Sequence, residues 1–329
     1  MGLKKIFLVL TLCPAFAALL GTAAFAQELV LGGQAIGIQI STRGVLVAGL
    51  TGVETSDGER CPAGICTGDL IVGVGESELD SAQDFVNAVG ELSGQPVTVV
   101  VEREGSTCSY TVQPVQSSEG QWMLGMWLRD GISGIGTLTF IDPESGMYGA
   151  LGHSISDSGT ELLVPLREGS ITDAEIVSVV PGSSGTPGEL NGCADTAKTL
   201  GNVEQNTELG IYGHIFTRTG SIVVETGDMH TGSATIISTV NGREAKEYGA
   251  EINRIYNETG GQRMMLTVTD PELRSITGGI VQGMSGSPVM QDGKLVGAVT
   301  HVFVSDPCKG FGISIYDMLE TAGIREQAA

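Results

Sequence analysis

From about Ser117 onward the chain is built of short apolar runs, each closed by a turn rich in Gly, Ser or Asp. Examples are "AEIVSVVPG", "LGIYGHIFT", "SIVVETG", "SATIISTV", "MMLTVTD" and "KLVGAVTHVFV". Runs this short are too brief for helices that bury one stripe, and they match strands that each cross a sheet once. The turns draw on 49 glycines, whose freedom at positive φ suits tight reversals. Aromatic residues are only 5% of the chain, so Val, Ile and Leu must fill the core. Roughly 200 residues in this pattern predict a sandwich or a pair of barrels. Only the segment near Ile315 to Ala322 reads as helix. A length of 329 residues corresponds to about two domains.

The formal charge is −21. Phosphate binding needs a basic face and none is visible, so a nucleic-acid partner is not expected, nor is adhesion to anionic lipid. Residues 1–26, "MGLKKIFLVLTLCPAFAALLGTAAFA", combine Lys4 and Lys5, an apolar run and a small-residue site at Ala24-Phe25-Ala26. That is the pattern of a signal peptide cleaved before Gln27, or of an N-terminal membrane anchor, and it places the rest of the chain outside the cytoplasm. Six cysteines are present, and Cys61 and Cys66 in "CPAGIC" are spaced for a local disulfide after export. No His or second cysteine pair flanks them at ligand spacing, so no metal is expected, and no cofactor motif occurs.

Between the N-terminal segment and Ser117 the pattern differs. "LVLGGQAIGIQISTRGVLVAGL" reads as two strands, "GDLIVGV" as another, and "PVTVVVEREGSTCSYTVQPV" as a hairpin. Between them, Asp80 or Ser81 caps a helix with apolar positions at Phe85, Val86 and Val89. In this order the segments "AIGIQI", "GVLVAGL", "AGICTGDLIVGVGESEL", "AQDFVNAV" and "VTVVVEREG" resemble a PDZ domain of the kind found in bacterial proteases. The resemblance implies an α+β domain over 27–117. It also implies a groove beside Ile36, Gly37 and Ile38, where the C-terminus of a peptide adds as an extra strand.

Two residues in the remaining 118–329 have the context of catalysis. Ser285 lies in "GMSGSP", where Gly283, Gly286 and Pro288 favour a sharp turn that exposes the hydroxyl and lets backbone amides face a developing oxyanion. Ser287 is the rival nucleophile. His153 in "YGALGHSISD" lies where a strand gives way to a loop, a position from which a base can face a cleft. His214 and His301 lie inside strand-like runs and His230 in a polar turn, and all three read as structural.

"YGALGHSISD", "VTDPELRSITGGIVQGMSGSPVMQDGKLVGAVTHVFVSDP" and "GFGISIYDML" resemble the SpoIVB-type peptidases, serine proteases of endospore-forming bacteria. The resemblance extends over "GGQAIGIQISTRGVLVAGL" and "RDGISGIGTLTFIDP". It implies a mostly β chain, a PDZ domain followed by a trypsin-like double β-barrel. It places the nucleophile on Ser285, the base on His153 and the acid on Asp270, with Asp157, Asp195, Asp228 and Asp306 as rival acids. By analogy the oxyanion donors are the amides of Gly283 and Ser285. The implied role is an exported signalling protease of sporulation. Such a protease cleaves itself and the extracytoplasmic part of a membrane-anchored regulator of an intramembrane protease. A broad-specificity extracytoplasmic PDZ protease and a non-catalytic PDZ binding protein are the competing readings.

Overall fold

The computed structural model describes residues 27–324 except 56–57, 61, 63, 104, 118, 158, 160–161, 218–220 and 259. The N-terminal segment and Cys61 therefore lie outside the described residues, and Cys66 carries a free, exposed thiol.

The principal strands of the first part are β1 (Glu28–Leu31), β2 (Ala35–Leu50), β3 (Leu70–Val74), β4 (Val97–Arg103), β5 (Ser106–Val112) and β6 (Met126–Ile141). After them come β7 (Met147–Ala150), β8 (Glu168–Val180), β9 (Glu189–Val203) and β10 (Gly210–His214). Helix α1 (Ala82–Gly90) lies between β3 and β4. Its cap is Ser81, whose Oγ accepts from the Asp84 amide at 3.1 Å. Phe85 and Val89 face the sheet, and Val86 turns outward.

The second half of β2 pairs with β3, β3 with β4, and β4 with β5 in the expected hairpin. One apolar cluster, including Val47, Ile71, Phe85, Val99 and Val101, holds this module together. A buried Asp69 carboxylate grips Arg103 of β4 through two bonds of 2.6 and 2.7 Å.

The first half of β2 does not belong to this module. Ile36, Ile38 and Ile40 enter a different cluster, with Leu138, Tyr148 and Ile211. There β2 lies between two strands: Ile36 faces Gly136 of β6 and Asp173 of β8, and Ile38 faces Gly134 and Ile171. β2 and β6 are each 16 residues long and run unbroken from the first half-barrel into the module and back. The module, spanning roughly Val45 to Leu128 by its apolar contacts, is thus an insertion in the half-barrel. It is not a domain completed before residue 118. Alternation along a strand tells which face is apolar, not which neighbours the strand pairs with.

The rest of the chain forms β11 (Gly232–Ser238), β12 (Lys246–Glu258), β13 (Gly261–Val268), β14 (Pro288–Gln291), β15 (Lys294–Val302) and β16 (Lys309–Ser314). These close a six-stranded barrel in the order β11, β12, β13, β16, β15, β14. Its core includes Ile236, Ile252, Leu266, Val289 and Val299. Helix α2 (Pro271–Thr277) precedes β14, and α3 (Ile315–Thr321) follows β16 at the segment read as helical. The fold is mostly β, with a closed barrel facing a half-barrel as in trypsin-like double barrels.

Candidate active site

The two halves meet at the turn that carries Ser285. Thr137 of β6 donates from its amide to the Ser285 carbonyl at 3.0 Å, and its hydroxyl donates to the Gly283 carbonyl at 2.9 Å. Thr139 donates to the Gly286 carbonyl at 2.8 Å. Gly283 and Gly286 both adopt left-handed backbone, at φ 96° and 92°. At Gly286 a Cβ would lie 2.1 Å from the Thr137 carbonyl oxygen, so only glycine lets the turn seat against β6. The Met284, Gly286 and Ser287 amides donate to Val281, Val299 and Met284 carbonyls, whereas among the described residues the Gly283 and Ser285 amides donate to no carbonyl. These two are the donors expected at an oxyanion site.

Ser285 is half-buried, and its hydroxyl donates to the Thr300 carbonyl at 2.6 Å. Ser287 is fully buried and donates to Ser238 at 3.0 Å, which leaves Ser285 as the accessible hydroxyl of the turn.

His153 follows Leu151 and Gly152, whose consecutive left-handed conformations (φ 68° and 69°) swing the chain off the end of β7. For Leu151 this strain costs roughly 1–2 kcal/mol. His153 Nδ1 lies 2.7 Å from the Ser154 carbonyl. A carbonyl can only accept, so Nδ1 carries the hydrogen and Nε2 keeps the free lone pair. Burial pushes the His153 pKa below its ordinary value, which keeps the ring neutral as a base requires. His153 and Ser285 line one cleft of about 640 Å³, whose walls include Ile38, Ile135, Leu151, Ile280, Val281 and Val302.

His301 completes the group. Its ring centroid is 4.6 Å from that of His153, with the planes at 36°. A register shift between Val299 and His301 sits at this point in the β15–β16 ladder. His301 is exposed by surface area, yet the cleft walls strip water from its ring. That desolvation, and then the charge of a protonated His153, pull its pKa down to about 4. In the sequence His301 lies inside a strand-like run and reads as structural, because a bulge cannot be seen in an apolar run.

Asp270 is not brought to this group. It is the N-cap of α2, accepting from the Leu273 amide at 3.0 Å and the Gly249 amide at 3.3 Å. Its carboxyl is held below the ordinary range first by the Leu273 N–H, and it does not line the cleft. The physical reason is local: Asp followed by Pro is a strong helix start. Among the rivals, Asp157 is fully buried against Arg129 at 2.8 Å, Asp195 accepts from the Ala197 amide, and Asp306 pairs with Lys309 at 3.0 Å. The carbonyl of Ser154, not a carboxylate, orients His153.

The expected peptide groove at Ile36, Gly37 and Ile38 is also corrected. Both edges of this segment are paired, and Ile36 and Ile38 are buried. A Cβ at Gly37 would lie 2.4 Å from the Ala194 side chain, so β9 covers that face too. No strand can add there. Ile38 instead forms part of the cleft wall.

The sequence profile of the SpoIVB peptidase S55 family matches residues 120–319, a span that contains both His153 and Ser285. The chain belongs to the SpoIVB peptidase S55 family. It is a serine endopeptidase. No curated protein matches closely enough to add an assignment. Among solved structures, the active form of the Rv3671c protease from M. tuberculosis is similar at 13% identity and a TM-score of 0.35 over 60% of this chain and 76% of that one. The thermostable serine protease AL20 from an extremophilic microorganism is similar at 10% identity and a TM-score of 0.34, over 59% and 92%. Likenesses this distant decide nothing about the site. The S55 match begins at residue 120, although β1 and the first half of β2, which lie before it, pair with β6 in the half-barrel.

Proposed function

We propose that this S55 peptidase is exported and acts as a signalling protease of sporulation. In this reading it cleaves itself and then the extracytoplasmic part of a membrane-anchored regulator, which frees an intramembrane protease. The observation that carries the peptidase chemistry is the convergence of Ser285 and His153 on one cleft, beside the unpartnered Gly283 and Ser285 amides. Family membership and the signal-like pattern of residues 1–26 support the export and signalling parts. β1 is paired from Glu28 on, so self-cleavage on the N-terminal side that leaves this strand in the sheet falls before β1. The inserted module would serve recruitment or control, with its contact surface elsewhere than Ile36–Ile38.

The chemistry runs through the chain's own groups. The Ser285 hydroxyl leaves the Thr300 carbonyl by rotation about χ1 and turns toward His153 Nε2. Nε2 takes the proton as Oγ attacks the peptide carbonyl. The oxyanion is met by the two free amides. His153 then gives its proton to the leaving amine, and a water repeats the cycle to release the acyl group. The test is intact mass of purified full chain, wild type beside Ser285→Ala, with labelling by a small alkyl fluorophosphonate. Wild type should shorten and label at Ser285, and the variant should do neither. Shortening of Ser285→Ala in a protease-free host would refute self-cleavage.

A further inference from the structure

We propose that the enzyme cleaves after an aliphatic residue, whose side chain enters a pocket formed beside Ser285 by Pro187, Ile280, Val281, Val302 and Val304. The proposal rests on the serine-peptidase chemistry described above and names the substrate class for it.

Two segments flank the nucleophile in the cleft: residues 280–283, just before Ser285, and residues 300–304, which begin at the carbonyl its hydroxyl meets. Ile280 is 2% exposed. Opposite it Gly310 has no side chain, and a Cβ there would lie 2.5 Å from Ile280 Cδ1. Ile280 therefore fills the space that Gly310 leaves and makes an apolar floor. No charged group lies in these two segments. Among the described residues the one carboxylate lining the cleft, Glu208, follows Asn206, which grips Ile155 through two bonds of 2.8 Å. That places Glu208 on the His153 side, toward the leaving group.

The backbone also fits. Phe303 donates its amide to the Lys309 carbonyl at 2.9 Å, toward β16. In an antiparallel ladder neighbours alternate, so Val302 turns its N–H and C=O to the other side, toward the cleft. A substrate strand laid along Val302 gains these bonds and presents a side chain to the pocket. A Lys or Glu placed there would lose its hydration with no partner. A single methylene in an apolar pocket discriminates by about 10–200-fold, so a charge is expected to be rejected by at least ~100-fold.

The test uses purified full chain and a matched set of peptidyl aryl phosphonates that differ only in the side chain next to phosphorus: Val, Leu, Lys or Glu. The Val and Leu probes are expected to label Ser285 at least ~100-fold faster than the Lys and Glu probes. Equal or faster labelling by Lys or Glu overturns the proposal, as does failure of every peptidyl probe while the small fluorophosphonate still labels. Val304 is 50% exposed and can carry a charge without unfolding the protein. Val304→Asp should raise labelling by the Lys probe at least tenfold, roughly the value of one good charge contact. No gain, in protein with wild-type thermal unfolding, overturns the pocket's placement. If even the small fluorophosphonate fails on wild type, the serine-peptidase chemistry itself falls and this inference falls with it.

Discussion

Asp270 offers the sharpest test of the site, because its two possible roles respond oppositely to the same substitution. As the N-cap of α2 its Oδ1 accepts from the Leu273 amide at 3.0 Å, and its Oδ2 takes the longer Gly249 bond of 3.3 Å. Asparagine supplies the capping oxygen as well as aspartate does, and alanine does not. Asp270→Ala should therefore cost about 1 kcal/mol, within the 0.5–2 kcal/mol seen for lost caps. In a domain of this size that lowers Tm by roughly 2–4 °C. The loss would also loosen the start of the segment that leads from α2 through Gly278, whose amide bonds the Arg274 carbonyl, to Ile280. Asp270→Asn keeps the cap and gives up only the longer Gly249 bond, so Tm should fall by less than for Ala and kcat/KM should stay within a few fold. A triad acid behaves differently: its change to Asn leaves the fold intact and lowers kcat by about 10⁴. Thermal unfolding by circular dichroism, beside the rate of fluorophosphonate labelling, separates the two. Asp270→Asn protein with wild-type Tm and labelling slowed by orders of magnitude would refute the assignment to capping. It would also require a rearrangement that carries Asp270 to His153.

Because burial lowers the His153 pKa, the neutral base persists to lower pH, and the acid limb of kcat/KM should lie below the ordinary imidazole value of about 6.5; a limb above it in the free enzyme contradicts the buried-base reading. His301, with a folded pKa of about 4, binds its proton more readily when unfolded, so stability is unaffected above about pH 6.5 and declines as pH falls toward 4. His301→Phe should flatten that decline in a pH series of denaturant midpoints, and an unchanged slope would argue against it. Gly286→Ala forces a Cβ to within 2.1 Å of the Thr137 carbonyl at φ 92° and should abolish labelling with a clear loss of Tm, whereas Gly293→Ala, at φ 77° in open space, should cost only about 1 kcal/mol and leave labelling intact. Arg129→Ala strips the guanidinium from the fully buried Asp157; since Arg129 is itself about half exposed, the expected cost is roughly 1–3 kcal/mol, below the value for a fully buried pair. The loop of His153 runs into Asp157, so labelling should slow as well, and adding Asp157→Asn should recover part of the loss; strict additivity in the double-mutant cycle would show that the pair is not coupled.

What could be read from the chain alone follows from how local each signal is. The turn of Ser285 was legible because Gly283, Gly286 and Pro288 act on their own backbone, and no distant partner is needed to see that a hydroxyl is being held out. The start of α1 at Ser81 and the hairpin of β4 and β5 were legible for the same reason. The "AIGIQI" strand was recognised as a strand, but its neighbours were not. An apolar segment looks alike whether its edge is open to a peptide or, as here, closed by β6 and β8. His301 lay beyond reach because its direction depends on a bulge against β16. Asp270 is the instructive case. The Asp-Pro step that starts α2 was in plain view, yet family resemblance assigned that carboxylate to the triad. In the structure its oxygens are committed to the Leu273 and Gly249 amides, and the Nδ1 hydrogen of His153 is taken by the Ser154 carbonyl. A carboxylate that already satisfies two backbone donors gains little by leaving them, and an imidazole already fixed in the needed tautomer requires no carboxylate to fix it. In the proposed mechanism Ser285 and His153, with His301 against the base, therefore carry the proton path without a carboxylate. The Asp270 variants will measure whether anything more is used.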